Sequence, residues 1–298
     1  MKNIKVSVGL SVFNEGNNIA NVIRDILHQK QEGWKLMEVL VFDDGSNDST
    51  VKKAKGINNR LLKIVEDGTK KGKTHRLSQM FKTFKGEVLV MFDGDVRLVG
   101  ENVITKLVES FNDPFTMLVG GNSQPFSPKN FFQRAVYTTF SVFYRSRIMV
   151  RGGNNIFGCT GSILAIRNTL ARKIMMPSVI NEDAYIYLYC LNEKYKFSYQ
   201  DKARVMYKLP SNLGDYIRQA FRSHPEAVGI ELKKYFGSRV DRELQRPMSF
   251  YLKSVLITMW TQPFEVLFIS FINILCRPFY GIISSRYKLS WFTAASTH

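Results

Sequence analysis

The sequence is poor in cysteine and in acidic residues, and each shortage narrows the class of protein. The three cysteines, Cys159, Cys190 and Cys276, lie far apart and are odd in number, so neither a disulfide framework nor a zinc site is predicted. Only 25 acidic residues stand against 42 lysines and arginines, which gives a net charge of +17. This excess favours an anionic partner: nucleic acid, an anionic membrane surface or a phosphorylated substrate.

The N-terminus also lacks the apolar region of a signal peptide. The opening residues "MKNIKVSVGL" enter a strand pattern almost at once, so we expect the first domain to stay in the cytoplasm. The chain has 298 residues and 45% hydrophobic content, which is enough for a folded core in one large domain or two modest ones.

A further absence concerns the stretch "DGTKKGKTHRLSQM", from Asp67 to Met80. A phosphate-binding P-loop has the pattern G-x-x-x-x-G-K-[ST], and Gly72, Lys73 and Thr74 fit its end. The first glycine of the pattern would fall at position 67, which is aspartate. The stretch therefore departs from a P-loop, although it follows a predicted strand and precedes a predicted helix.

The first third of the chain alternates between strand and helix patterns. Strands are predicted at "KVSVGLSVF", "MEVLVF", "LLKIV", "EVLVMF" and "TMLVGGN". Helices are predicted between them at "NNIANVIRDILHQ", "NDSTVKKAK", "THRLSQMFKTF" and "ENVITKLVESF". Such alternation predicts an α/β fold with a mostly parallel sheet and helices on both faces.

Carboxylates follow two of these strands at the edge where ligands bind in open α/β sheets. Asp43 and Asp44 follow "MEVLVF", and Asp93 and Asp95 follow "EVLVMF". Such a rim suits a divalent cation, Mg²⁺ or Mn²⁺, together with a diphosphate, because these ions prefer carboxylate and phosphate oxygens. Each motif taken singly is also explained as an ordinary turn, since Asp, Asn, Gly and Ser dominate turns.

Six segments, taken in order, resemble the family 2 glycosyltransferases with the GT-A fold. They are "SVFNEGNNI", "VFDDGSNDST", "KGKTHRL", "VMFDGDV", "GCTGSILAIR" and "NEDAYIYLY". The resemblance covers about residues 5 to 225 and implies an inverting transfer of a sugar from a nucleotide-sugar donor.

The resemblance also implies roles for the residues on the donor side. Asn14, Glu15 and Asp44 are expected to hold the nucleoside, with Asp43 beside them, and Lys73 is expected beside the nucleotide. Asp95, with Asp93, corresponds to the DxD motif that holds a divalent cation on the diphosphate.

On the acceptor side, Asp183 of "NED" is the expected catalytic base, with Glu182 beside it. An acceptor hydroxyl needs a positioned group to take its proton, and the dipole of a helix that opens at Asp183 favours the ionised carboxylate. The alternative is that Asp183 only caps this helix. Gly158 and Gly161 of "GCTGS" lie a short distance upstream, and such small residues let an acceptor approach the backbone.

The segment "RQAFRSH" is similar to the (Q/R)xxRW motif of many membrane-linked members of the family. Gln219 and Arg222 match and are expected to bind the donor, but the tryptophan position is Ser223. That departure argues against a processive polysaccharide synthase. Arg218 shares a helical face with Arg222, so this face is either a diphosphate clamp or only a solvated basic surface.

The C-terminal part holds two uncharged apolar runs, "SVLITMWTQPF" from Ser254 and "VLFISFINILC" from Val266. Each is too short to span a bilayer, which needs about 20 apolar residues. We expect two interfacial or re-entrant helices, although a single kinked spanning segment, a buried helix pair or an oligomer interface remain alternatives. The aromatic and basic stretch from Asn130 to Arg147 is an expected acceptor-binding element.

Together these features predict a catalytic domain over residues 1–235 and a membrane-associating segment over 236–298. The predicted function is transfer of a sugar, with UDP as the first expected nucleotide, to a lipid or lipid-linked acceptor at the cytoplasmic face of a membrane. Nucleic acid is not an expected partner, because strand-end carboxylates would repel it without a metal. The alternatives are a nucleotidyltransferase or other nucleotide-sugar enzyme on a similar sheet, and a non-catalytic basic module.

Overall fold

The computed structural model of the protein describes residues 3–222 and 225–276, and the side chains of residues 221–227 are outside the description. This part of the chain forms two compact units. The first unit joins the chain up to Ser123 with Cys159–Tyr207, and the second joins Gln124–Gly158 with the chain from Lys208 onward. These boundaries differ from the division between residues 235 and 236 that the sequence suggested. The assignment of catalysis to one side of that division and membrane association to the other stays a prediction.

The first unit contains one eight-stranded sheet. Its strands are β1 (Ile4–Val12), β2 (Trp34–Asp43), β3 (Leu62–Val65), β4 (Val88–Asp93), β5 (Arg97–Leu98), β6 (Thr116–Pro125), β7 (Ile163–Arg167) and β8 (Lys196–Tyr207). Its helices are α1 (Ile19–Leu27), α2 (Thr50–Lys55), α3 (Lys73–Thr83), α4 (Val103–Glu109), α6 (Asn168–Ala171) and α7 (Glu182–Asn192). All five predicted strands and all four predicted helices are present.

The sheet has the order β3-β2-β1-β4-β7-β6-β8-β5. The pairs β2–β3, β1–β2 and β1–β4 are parallel, whereas β4–β7, β6–β7 and β5–β8 are antiparallel. The predicted α/β sheet is therefore confirmed, but it is mixed, and its parallel part is confined to the first four strands of the alternating region. The strand β7 runs antiparallel to both of its neighbours, β4 and β6, so the later strands do not continue the parallel pattern.

Helices cover both faces of the sheet, as the alternation predicted. On one face, alternate residues of β1 pack against the apolar stripe of α1 and against α4 in one core. Trp34 joins this core, and its indole N–H donates to the Thr105 hydroxyl at 2.9 Å. On the other face, α3 buries Leu77, Met80 and Phe81. Because side chains of a strand alternate between faces, one continuous apolar strand can support both layers.

The second unit is helical. Its helices are α5 (Phe131–Met149), α8 (Leu213–Arg222), α9 (Pro225–Phe236), α10 (Arg239–Leu244), α11 (Met248–Thr261) and α12 (Pro263–Cys276). Both α11 and α12 pack against α5. Gln262 separates these two helices, and Pro263 begins the second, as expected for a residue that fits the first helical position.

The two predicted apolar helices are thus present as α11 and α12, each of 14 residues. At 1.5 Å per residue each is about 21 Å long, which is less than the roughly 30 Å of a bilayer core. Across residues 3–222 and 225–276, no helix has the length and apolar character needed to cross a membrane.

Candidate active site

The candidate site lies in the first unit, at the edge where β1, β2 and β4 end. Asn14 and Glu15 follow β1, and both tie this edge to the loop after β2. The Asn14 backbone N–H donates to the Ser46 hydroxyl at 2.8 Å, and the Glu15 N–H donates to the Thr50 hydroxyl at 2.7 Å. The Glu15 carboxylate accepts from the Asn18 amide at 2.8 Å, beside the start of α1. These contacts shape the rim, and the predicted contact of both residues with a nucleoside stays a prediction.

The two carboxylates after β2 are both buried. One oxygen of Asp43 accepts from the N–H groups of Gly45 and Ser46, both at 3.0 Å, and so forms the turn that the sequence offered as an alternative. Its other oxygen is buried without a hydrogen-bond partner. A buried carboxylate oxygen without a donor is costly, so this atom marks Asp43 as more than a turn former.

Asp44 has no exposed surface. Its carboxylate accepts from the backbone N–H of Lys71 at 2.8 Å and of Gly72 at 2.9 Å, and from Arg76 Nε at 3.0 Å. These two amides belong to the stretch that resembled a P-loop. They are satisfied by a protein carboxylate, so in this structure they do not cradle a phosphate. The predicted contact of Asp44 with the nucleoside stays a prediction.

Arg76 is a residue of this site that the sequence analysis did not single out. It is fully buried on α3 and reaches both Asp44 and Asp67, which lie 32 and 9 residues away along the chain. Hydrogen bonds from Arg76, and then from Lys71, hold the pKa of Asp67 well below its usual range. The signal for Arg76 was its place inside "KGKTHRL", but no local pattern indicates which acids it contacts.

Lys73 connects the two acidic motifs of the site. Its Nζ lies 2.8 Å from Asp93 Oδ1 and 2.6 Å from Glu182 Oε1. Burial alone would lower the pKa of Lys73, but the charges of Asp93 and Glu182 outweigh it and raise this pKa above its ordinary value. The structure thus brings "KGK", "DGD" and "NED" together, as the resemblance implied, around one lysine that stays charged.

Asp183 lies in the first turn of α7, directly after Glu182. The residue before the helix, Asn181, occupies the cap position. Asp183 instead accepts from the backbone N–H of Gly161 at 3.0 Å and of Ala184 at 2.8 Å. Burial and the negative charge of Glu182 raise its pKa to about 6, against the opposing effect of Lys73. A carboxylate with this pKa is suited to general-base work near neutral pH.

Two glycines leave room at the centre of the site. A Cβ on Gly94, the middle residue of "DGD", would lie 2.7 Å from Glu15 Cγ and 2.9 Å from Val12 Cγ1. A Cβ on Gly161 would lie 3.1 Å from Lys73 Nζ and 3.4 Å from Glu182 Oε1. Gly161 therefore borders the acidic cluster, where the sequence analysis expected an acceptor to approach.

Three predicted site residues belong to the second unit. Gly158 ends a short 3₁₀ turn, and Gln219 is exposed on α8. Arg222 ends α8, and its side chain is outside the described part of the chain, as is Ser223. Arg218 is exposed and forms an ion pair with Asp215, so the alternative of a solvated basic surface fits that residue.

No group of three or more His, Cys, Asp or Glu residues forms a ready metal centre in the described part of the chain. Asp93 and Asp95 nevertheless offer carboxylate oxygens at the end of β4, which are the ligands that Mg²⁺ and Mn²⁺ prefer. Mg²⁺ is commonly held by one or two carboxylates together with substrate phosphates and water, and these residues fit such a site.

Several solved glycosyltransferases have a similar fold. Mannosyltransferase PcManGT from Pyrobaculum calidifontis, solved with GDP-Man and Mn²⁺, has a TM-score of 0.60 at 17% identity and covers 96% of this chain and 84% of its own. Glucosyl-3-phosphoglycerate synthase from Mycobacterium tuberculosis, solved with Mn²⁺ and UDP-glucose, has a TM-score of 0.53 at 17% identity and covers 78% and 79%. Mannosyl-3-phosphoglycerate synthase from Rubrobacter xylanophilus has a TM-score of 0.54 at 14% identity and covers 83% and 78%.

At these identities the three structures show the fold alone. No curated protein sequence is significantly similar to the chain. The sequence model described as Glycosyl transferase family 2 matches residues 7–175, which is more than half of the chain. The chain therefore belongs to glycosyl transferase family 2 and is a glycosyltransferase.

Proposed function

We propose that the protein transfers a sugar, with inversion, from a nucleotide-diphosphate sugar to a hydroxyl group of a lipid or lipid-linked acceptor at the cytoplasmic face of a membrane. The observation that carries the reaction is the cluster in which Lys73 bridges Asp93 and Glu182 beside Asp183. It joins a cation, a DxD carboxylate and a candidate base, which are the groups that departure of a diphosphate and activation of a hydroxyl require.

Asp183 is the proposed general base. Its pKa of about 6 leaves it ionised at neutral pH but basic enough to take the hydroxyl proton as the new glycosidic bond forms. The Gly161 and Ala184 N–H groups fix the orientation of this carboxylate. Glu182 does not compete for the role, because its carboxylate is held by Lys73.

Asp95 and Asp93 are the proposed holders of a divalent cation, Mg²⁺ or Mn²⁺. When bound, such an ion supplies positive charge that stabilises the leaving diphosphate. Lys73 supplies a fixed positive charge at the same carboxylate, and its raised pKa keeps it protonated throughout the neutral range. Two of the structures with a similar fold were solved with Mn²⁺ and a nucleotide sugar, which supports this proposal.

The nucleotide is proposed as UDP, with GDP as the competing choice, since the related structures contain UDP-glucose in one case and GDP-Man in another. The lipid acceptor is supported by the apolar helices of the second unit rather than by the relatives. Two of those relatives are named as phosphoglycerate synthases, so a small soluble acceptor is the alternative to test.

The test is sugar release from a panel of UDP- and GDP-sugars with Mn²⁺, Mg²⁺ or EDTA. We expect turnover of one donor with metal, and its loss in Asp95→Ala. A second series compares a lipid extract with phosphoglyceric acid as acceptor, using Asp183→Asn. Loss of transfer by Asp183→Asn with donor binding retained supports a hydroxyl acceptor. Full transfer by either variant would show that these roles are wrong.

A further inference from the structure

The exposed surface of α11 and α12 has the reverse of the polarity expected for helices in water. The residues of α11 that are buried are Ser254 and Thr258, which are small and polar. The stripe at Leu252, Leu256 and Trp260 is exposed, with Trp260 exposed to 90%. A helix on the surface of a soluble protein normally turns such an apolar stripe toward the core.

The second helix continues this surface. On α12, Phe264, Leu267 and Phe271 are exposed to 74%, 57% and 63%. They follow one another at intervals of three and four residues, so they lie along one face of the helix. An exposed apolar area built from two neighbouring helices exceeds the isolated apolar residues that soluble surfaces carry, and it indicates a binding surface.

The polar groups of the helix pair are satisfied on the inner side, against α5. Thr258 accepts a hydrogen bond from Arg145 Nη1 at 2.6 Å. Glu265 is the only acidic residue between Met248 and Cys276, and it forms an ion pair with Arg134 Nε at 3.1 Å. The outer surface therefore carries no uncompensated negative charge that would oppose contact with anionic lipid.

A cation borders the same surface. Lys253 is exposed between Leu252 and Ser254, and within the described chain it has no carboxylate partner. Arg246, which precedes α11, does not share this position, because its guanidinium lies over the Phe157 ring and donates to the buried Ser146 hydroxyl. An exposed lysine beside an apolar face is complementary to lipid phosphates at the headgroup level.

We propose that the exposed face of α11 and α12 binds an anionic phospholipid membrane, lying in its headgroup region, with Lys253 at the level of the lipid phosphates. Two helices of about 21 Å joined at Gln262 suit shallow insertion rather than crossing. The proposal deepens the proposed function, on which it rests for the nature of the acceptor, by naming the surface that meets the lipid.

The test is flotation of the full-length protein with vesicles of phosphatidylcholine alone or with added phosphatidylglycerol. We expect the wild type to float with the anionic vesicles and Leu256→Glu/Phe264→Glu to lose at least tenfold in binding. The matched controls are Phe115→Glu and Met175→Glu, which add the same charge at equally exposed apolar residues of the first unit, at 71% and 86% exposure. Both controls are expected to bind as the wild type does.

Lys253→Gln isolates the electrostatic part and is expected to weaken binding to anionic vesicles about fivefold, the effect of about 1 kcal/mol per cation, with no change on phosphatidylcholine. Donor turnover and thermal unfolding are measured on every variant. Unchanged flotation of the double variant overturns the membrane surface, as does wild-type self-association through this face without vesicle binding. Donor turnover that persists in these cases leaves the proposed reaction standing.

Discussion

The two acidic motifs at the ends of parallel strands look alike in the sequence, but their carboxylates differ in burial and in hydrogen-bond partners. After β2, the Asp44 side chain is 0% exposed and is held by two backbone N–H groups and by Arg76. After β4, the Asp93 side chain is 28% exposed and is held by the amino group of Lys73. The Asp44 carboxylate is enclosed by backbone and a buried guanidinium, whereas the Asp93 carboxylate is partly exposed and pairs with a flexible lysine side chain.

This difference separates a group that builds the site from a group that can act in it. A partly exposed carboxylate that pairs with a flexible lysine can also accept a second cation from solvent. Asp44 cannot do so without releasing the Lys71–Gly72 loop and leaving Arg76 without one of its acids. We therefore expect substitutions of Asp93 to lower activity and substitutions of Asp44 to lower stability.

The largest effect is expected at Asp93. Asp93→Asn keeps the shape of the side chain but removes the charge that Lys73 and a metal ion require. We expect kcat/KM for the donor to fall on the order of a thousandfold, as when one preorganised electrostatic group is removed from a transition state. The thermal midpoint should stay close to that of the wild type, because Lys73 keeps Glu182 as a partner. Retained activity would contradict the role of this strand end.

The second effect is expected in stability, at Asp44. Asp44→Asn breaks a fully buried ion pair with Arg76, and such a change costs about 3–5 kcal/mol. Urea unfolding measures this cost. Glu101→Gln is the control, because the side chains of the pair formed by Glu101 and Lys30 are 57% and 59% exposed and such pairs contribute about 0–1 kcal/mol. Equal losses in the two variants would show that burial of Asp44 has no special role.

The fold of the alternating region was predictable because each element there is encoded locally. Period-2 and period-3.6 patterns identify β1 to β4 and the helices between them, and the carboxyl ends of parallel strands necessarily share an edge. The antiparallel half of the sheet was harder to predict from the sequence. The two-residue strand β5 pairs with β8, which lies more than 100 residues away along the chain. No local sequence pattern indicates such a pairing.

For the site, the sequence placed Asp93, Asp183 and Lys73 in one region through the family resemblance. It did not show that Lys73 reaches Glu182, which lies 109 positions later, or that Arg76 encloses Asp44. Both facts depend on where α7 and α3 lie over the sheet. A lysine and an arginine three residues apart on one helix thus differ in role only through tertiary contacts.

A smaller effect is expected at Gly161, which borders the cluster of Lys73 and Glu182. Gly161→Ala would place a Cβ 3.1 Å from Lys73 Nζ, so the lysine must shift by a few tenths of an ångström. We expect kcat/KM to fall about tenfold to a hundredfold, since small misplacements of catalytic groups have costs of this order. Gly56→Ala is the control, because its Cβ would meet only ordinary contacts at 3.5 Å. A variant at Gly161 with full activity would show that Lys73 tolerates displacement.

The smallest effect is expected in the pH dependence of the transfer rate. It tests whether Lys73, which pairs with Asp93 at the end of β4, influences Asp183. Because burial and Glu182 raise the pKa of Asp183 to about 6, the base form is lost as the pH falls below that value. The rate with a hydroxyl acceptor should therefore be level above pH 7 and fall about tenfold for each pH unit below 6.

Two variants test the origin of this acidic limb of the pH–rate profile. Lys73 opposes the raised pKa of Asp183, so Lys73→Met should move the limb to higher pH. Asp183→Asn should lower transfer at every pH, so that no such fall with pH remains, and its thermal midpoint at pH 7.5 should not decrease, since it removes a carboxylate whose ionised form the fold disfavours. A limb that stays in place in Lys73→Met would mean that the lysine and Asp183 act independently.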